Sequence, residues 1–171
     1  MLTIKKLDSS HVQRLRKLAL EAYKDHYLHL WDDGGSWYME KSFSIEQFSS
    51  ELADAKNHFY IAQQDDQDAG FLKVIPMSNL DGQLGDGYEV ERIYFKKIFT
   101  GKGLGGGLLE FAAADAIQQS CQYLWLKAMD TSYKAIHFYQ KAGFEVIDTT
   151  TLDYEPMLPV LRGMVVMRKV L

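Results

Sequence analysis

The stretch Phe99-Thr100-Gly101-Lys102-Gly103-Leu104-Gly105-Gly106-Gly107 decides how the chain is read. Upstream, Tyr88 to Lys96 reads as a long strand. Downstream, Leu104, Leu108, Phe111 and Ala112 form an apolar helical side. The glycines therefore join a strand to a helix N-terminus. Amides there lack intrahelical acceptors and the helix dipole is positive, so the junction suits an anion. Glycine lets the backbone come close to such a ligand, and Lys102 adds positive charge. A plain turn has no need of five glycines in the seven residues 101–107. The P-loop pattern GxxxxGK[ST] fails because the lysine precedes most of the glycines. Gly101, Gly103 and Gly106 fit GxGxxG, and Asp130 lies at a tolerable distance for a ribose contact. Two helices and three strands come first, however, and too little chain remains for a second nucleotide half.

Working outward, Leu2–Leu7 reads as a strand, and Asp8-Ser9-Ser10 offers an N-cap to a helix reaching about Lys24. Residues 25–40 are aromatic and irregular. A second helix follows Ser44, with Gln47 placed for a capping box. Strands over 58–64 and 70–76 flank a polar turn and form a hairpin. After the glycine-opened helix come a strand at Tyr123–Lys127 and a helix over 133–142 ending at Gly143. A strand at Phe144–Ile147, a loop with Pro156 and Pro159, and a strand at Met164–Met167 complete the order. The order βααβββαβαββ predicts one α+β (mixed α/β) domain over residues 1–171.

With 171 residues, 47% apolar and 25% charged, the chain is long enough for a real core and is not disordered. The single cysteine, Cys121, excludes a disulfide framework and any CxxC site. His26, His29 and His58 do not share metal-ligand spacing with other ligands, so no metal is assigned. No apolar run approaches membrane-spanning length, and no signal-peptide region follows Met1–Lys6, so a cytoplasmic protein is expected. The net charge is −4, which argues against a nucleic-acid partner. That charge is uneven. Residues 1–85 hold nine basic against thirteen acidic residues, and 86–171 hold ten of each.

A second segment, Ala135-Ile136-His137-Phe138-Tyr139-Gln140-Lys141-Ala142-Gly143-Phe144, lies about 30 residues beyond the glycine turn. It resembles the A-x-x-F-Y-x-K-x-G-F segment of the Gcn5-related N-acetyltransferase (GNAT) family. Thr100–Gly106 resembles that family's pyrophosphate loop, [QR]xxGxG[AG], in all but its first position. Thr100 replaces the usual Arg or Gln, and Ser132 the usual Asn. The order of elements is similar over nearly the whole chain. The resemblance implies a mostly antiparallel, splayed sheet of about seven strands flanked by about four helices.

It also implies acetyl transfer from acetyl-CoA to an amine by direct attack in a ternary complex. Tyr139 matches the general-acid tyrosine aimed at the CoA sulfur. The backbone of Ile93, Tyr94 and Phe95 would pair with the pantetheine arm and could supply the oxyanion N–H. Thr100, Gly101, Lys102, Gly103, Leu104, Gly105 and Gly106 would hold the pyrophosphate, with Ser132 and Lys141 as further CoA contacts. Phe138 reads as core. By period two, Glu89, Glu91, Ile93 and Phe95 share one strand face. Glu91 is the first choice of base and Glu89 the second, against a salt bridge of Glu91 with Arg92.

The acceptor wall falls on Tyr23–Glu40, where Tyr27 and Trp31 are candidate amine contacts together with Glu89. Carboxylates and aromatic faces together suit a polycation. The Tyr38, Ser42, Phe43, Ser44 set and the Leu161–Met167 end look like bacterial spermidine/spermine acetyltransferases. Acetylation of a protein N-terminus or lysine stays open, as do a non-catalytic CoA-binding module and a homodimer. The charge asymmetry predicts that acceptor binding weakens with salt. It also predicts that neutralising acids in 21–40 raises KM for the amine more than for acetyl-CoA.

Overall fold

A computed structural model describes residues 1–171. Its elements are β1 (Leu2–Lys6), α1 (Val12–Lys24), α2 (Ser36–Phe43), α3 (Ile45–Ala53), β2 (His58–Gln64), β3 (Gln67–Pro76), β4 (Gly87–Phe95), α4 (Leu104–Gln118), β5 (Tyr123–Met129), α5 (Tyr133–Lys141), β6 (Glu145–Thr151) and β7 (Gly163–Val170). The seven strands form one sheet in the order β1-β2-β3-β4-β5-β7-β6. This is the mixed α/β splayed-sheet architecture expected. The stretch 25–40, read as irregular, contains the start of α2. Asp33 makes that helix possible by accepting from the amides of Gly35 and Trp37 at its N-terminus. Ser44 caps α3 through the Gln47 amide, but the Gln47 side chain turns to Glu51 instead of closing the capping box. No helix is long and apolar enough to cross a membrane.

Every strand pair is antiparallel except β4 with β5. That parallel pairing covers only Gly87–Glu89 against Tyr123–Trp125. Beyond it β4 runs on to Phe95 and β5 to Met129 without pairing to each other, so the sheet opens into a V. The β3–β4 register slips within the same region: Lys73 faces Arg92, whereas Val74 faces Val90. Glu91 is left over, which makes it a β-bulge.

The bulge overturns one expectation. Tyr88 and Val90 lie in the apolar core shared with α4, and beyond the bulge Ile93 and Phe95 pack against that same core. One extra residue has reversed the alternation. Arg92 and Tyr94 instead face the second core, built by α1–α3 on the opposite side of the sheet with Phe43, Phe48 and Phe71. Glu89 and Glu91 therefore do not share a face with Ile93 and Phe95.

A buried ion cluster fastens the bulge to α3. Glu51 accepts from both terminal nitrogens of Arg92 at 3.1 and 3.2 Å. Lys73 Nζ bridges Glu51 at 3.0 Å and Glu91 at 2.5 Å. Burial pushes the Glu51 carboxyl up, but Arg92, Gln47 and Lys73 outweigh it and hold it below its ordinary 4.5. Its contribution to stability is therefore complete above about pH 4.5 and lost as pH falls through the lowered value. Arg92→Met should cost about 3 kcal/mol in urea unfolding, and adding Glu51→Gln should return part of that. The acid limb of wild-type stability should be steeper than that of the double variant.

Candidate active site

A cavity of about 380 Å³ occupies the V between β4 and β5. The splay supplies Glu89, Ile93 and Tyr94 from one strand and Leu126–Met129 from the other. Residues Ser132, Ala135 and Tyr139 close it from α5, and Tyr23, Tyr27, Trp31 and Tyr38 close it from the α1–α2 region. The loop before β7 adds Leu152, Tyr154 and Met157. Sequence patterning gave no role to Tyr154, because that loop carries no periodic signal. Its delivery depends on long-range backbone bonds, from Asp32 to the Pro156 carbonyl and from Leu158 to the Leu30 carbonyl.

Tyr139, Glu89, Glu91, Ile93, Tyr94, Ser132, Tyr27 and Trp31 all line this one cavity. Tyr139 sits on the inward side of α5, its ring edge-on to Phe144 at 5.9 Å. Burial first, and then the Tyr27 phenol, push its pKa up, and no hydrogen bond holds its hydroxyl. It is a neutral donor without a partner in the chain.

The two carboxylates differ. Glu91 is held by Lys73, and Arg92 lies 3.6 Å from it. Glu89 has no ion-pair partner and accepts from Ser78 Oγ at 2.9 Å. Burial, followed by the Glu91 charge, raises its pKa against the opposing Ser78 bond.

The acids of 21–40 do not reach the cavity, contrary to the reading of the charge asymmetry. Asp25 accepts from the Lys97 amide, Asp33 caps α2, and Glu21 pairs with Lys96 at 2.9 Å. Glu89 and Glu91 are the only carboxylates in the lining. What 21–40 does supply is aromatic. Trp31 Nε1 donates to the Tyr23 hydroxyl at 2.8 Å, and Trp31 stacks on Tyr38 with ring centres 4.9 Å apart.

The glycine turn is built as an open cradle. Gly101 and Gly103 have φ of 74° and 79°, and Gly103 is the N-cap of α4. The Gly107 amide returns to the Gly103 carbonyl, so the amides of Leu104, Gly105 and Gly106 have no helical acceptor. A Cβ on Gly105 would meet the Phe138 ring at 3.1 Å, so packing accounts for that glycine. Phe138 is 36% exposed, a bridge between α5 and this turn instead of the core residue expected. Gly106 has ordinary φ and a Cβ there would meet nothing. Neither turn geometry nor packing calls for that glycine, whereas a pyrophosphate lying on the free amides would.

Thr100 Oγ1 donates to the Lys97 carbonyl, so this side chain is turned into its own loop. Lys102 Nζ rests 5.2 Å from the Phe99 ring, on the exposed side. Ser132 is the N-cap of α5 but makes no cap bond with its side chain. Lys141 lies on the exposed last turn of α5 and Phe95 beyond the cavity lining. The Phe95 carbonyl, on the strand edge expected to pair with a ligand, is within 3.0 Å of His26 Nε2. No group of three His, Cys, Asp or Glu side chains could hold a metal ion.

Known proteins share this fold. The PaiA N-acetyltransferase of Thermoplasma acidophilum, solved with coenzyme A, matches with a TM-score of 0.79 at 21% identity, covering 100% of this chain and 99% of that one. The ribosomal-protein-S18-alanine N-acetyltransferase of Escherichia coli matches with a TM-score of 0.71 at 19% identity, over 99% and 94%. At those identities the likeness is one of fold. A curated relative, an uncharacterized N-acetyltransferase in the pepI 3' region of Lactobacillus delbrueckii subsp. lactis, is 32% identical over 108 residues. The match spans 62% of each of the two chains. The model of the acetyltransferase (GNAT) family matches residues 13–144, both motifs included. The chain therefore belongs to the GNAT acetyltransferase family.

Proposed function

We propose that the protein transfers an acetyl group from acetyl-CoA to a primary amine, and that the amine is a polyamine such as spermidine or spermine. One observation carries this reading: the gap between β4 and β5 has Tyr139 on one wall and Glu89 on another, in a cavity otherwise mostly apolar and aromatic. The thioester of acetyl-CoA supplies the acyl group. The free amides of Leu104, Gly105 and Gly106 hold the pyrophosphate, with Lys102 adding charge. The Ile93–Phe95 backbone accompanies the pantetheine arm along the open strand edge and offers the N–H that steadies the oxyanion. Ser132 and Lys141 contact the nucleotide-bearing molecule from α5. Thr100 contributes its backbone only.

An alkylammonium has a pKa near 10, so the acceptor must lose a proton before it attacks. Glu89 is the better placed base. Its raised pKa gives it more proton affinity than an ordinary carboxylate, because burial and the Glu91 charge outweigh the Ser78 bond and the more distant Lys127 and Lys73, neither of which forms an ion pair with it. Glu91, paired with Lys73 and flanked by Arg92, is committed to that ion cluster and does not serve as the base. Tyr139 Oη donates to the departing sulfur. Tyr27, Trp31 and Tyr38 present ring faces to the alkylammonium. A cytoplasmic location belongs to this reading.

Thiol release from acetyl-CoA, measured against a panel of amines, tests the proposal. Turnover of spermidine and spermine supports it. Turnover of peptide amines alone would move the acceptor to a protein N-terminus or lysine, and acetyl-CoA binding without any turnover would leave a non-catalytic module. Tyr139→Phe should lower kcat on the order of a hundredfold with little change in acetyl-CoA affinity. Glu89→Gln should remove the acidic limb of the kcat/KM profile, and Glu91→Gln should keep it. Gly106→Ala should raise thermal stability slightly, by about 0.5–1 kcal/mol, while weakening acetyl-CoA binding. A variant weaker in both would make that glycine structural.

A further inference from the structure

Beside the cavity wall at Tyr154 an ammonium group already sits on two aromatic rings, and it belongs to the chain itself. Lys41 Nζ lies 4.8 Å from the Trp37 ring centre and 4.5 Å from that of Tyr154. Both distances are within the range of cation–π attraction. Lys41 follows Trp37 by one turn of α2, so its side chain can fold back over the ring. No carboxylate forms an ion pair with it. The rings alone hold the ammonium.

The pair does not depend on the lysine for its shape. Trp37 and Tyr154 lie 5.5 Å apart. Tyr154 is 6.1 Å from Trp31 and 6.2 Å from Tyr38, both of which line the cavity. One aromatic surface thus runs from the interior, where Glu89 stands, out to Lys41. Lys41 is exposed and on a long flexible stem, so it can move into water at little cost.

We infer that Trp37 and Tyr154 form a second ammonium subsite, which takes the distal charge of a di- or polyamine whose reacting end lies at Glu89, and that Lys41 is its resident competitor. The exchange replaces one ammonium by another and leaves the local charge unchanged. An intramolecular occupant lowers apparent affinity by the fraction of sites it holds, so removing it tightens binding. This rests on the amine-acetylation reading above and deepens it: it assigns the acceptor's second cation to Trp37 and Tyr154.

The test uses α,ω-diamines of increasing length and alkylamines of matched length, with acetyl-CoA saturating. For the wild type, KM for the best diamine should be about tenfold below that of its matched monoamine, as two ring faces allow. Trp37→Leu and Tyr154→Leu should each narrow that ratio severalfold, and Trp37→Phe should restore most of it. Lys41→Gln, a surface change without folding risk, should widen the ratio about two- to fivefold. A ratio near one in the wild type, or a Lys41→Gln variant with a higher diamine KM, would overturn the subsite while leaving amine acetylation intact. A preference for carboxylate-bearing acceptors that disappears in Lys41→Gln would make Lys41 an anion contact and also overturn it. Absence of turnover with every amine would sink the underlying reading and this inference together.

Discussion

The parting of β4 from β5 after Glu89 is the constraint on which the rest depends. A parallel pair held over three residues leaves two strand edges facing each other with nothing between them. Left bare in an apolar cavity, such backbone groups are costly. The fold keeps the gap open from both sides. On β4, the bulge at Glu91 breaks the regular pleat, and the Glu51–Lys73–Arg92 cluster ties it to β3 and α3. On β5, pairing with β7 continues as far as Met129 and holds that strand to the other half of the sheet. The opening is thus built by good pairing on the outer side of each strand. It is not a defect in a sheet that failed to close.

The bulge has a second effect, on chemistry. By adding one residue it places Ile93 on the α4 side and turns Arg92 and Tyr94 toward α1–α3, where unbroken alternation would not put them. Two carboxylates close together on one strand would be expected to raise each other's pKa. Here Lys73 and Arg92 engage one of them, and the other is left to burial. Neighbouring glutamates on one strand thereby acquire different electrostatic surroundings. The asymmetry comes from β3 and α3, which touch the cavity nowhere.

This explains what could be read in the sequence. The glycine turn, the Ala135–Phe144 segment and the order of elements were legible because each is local: a periodicity, a spacing, a conformational need of Gly103. The gathering of Tyr139, Ser132, Glu89 and Tyr27 around one cavity followed from the family resemblance. The bulge was not legible, since period two assumes an unbroken ladder and the extra residue is visible only against the partner strand. Lys73, Glu51 and Tyr154 carry no motif, and their places depend on contacts across the fold. Asp33 shows the reverse error. A surface acid looked like an ammonium attractor when its task was to cap α2, a helix that weak periodicity hid.

The electrostatics of the cavity lie elsewhere than the charge balance of the two halves implies. The acid surplus of residues 1–85 suggested that the acceptor is drawn by the α1–α2 segment. Asp25 and Asp33 are taken up by backbone amides there, and Glu21 by Lys96. Exposed charges are also screened over about 8 Å at physiological salt, so those acids act weakly on a group deep in the V. A carboxylate inside the cavity is screened far less. Glu89 is therefore the carboxylate whose charge the cavity feels most with no ion pair to offset it, even though it lies in the half of the chain with no net charge. Where the sheet buries its one unpaired cavity carboxylate is decided by the parting of β4 from β5, and the net charge of −4 on the whole chain says little about it.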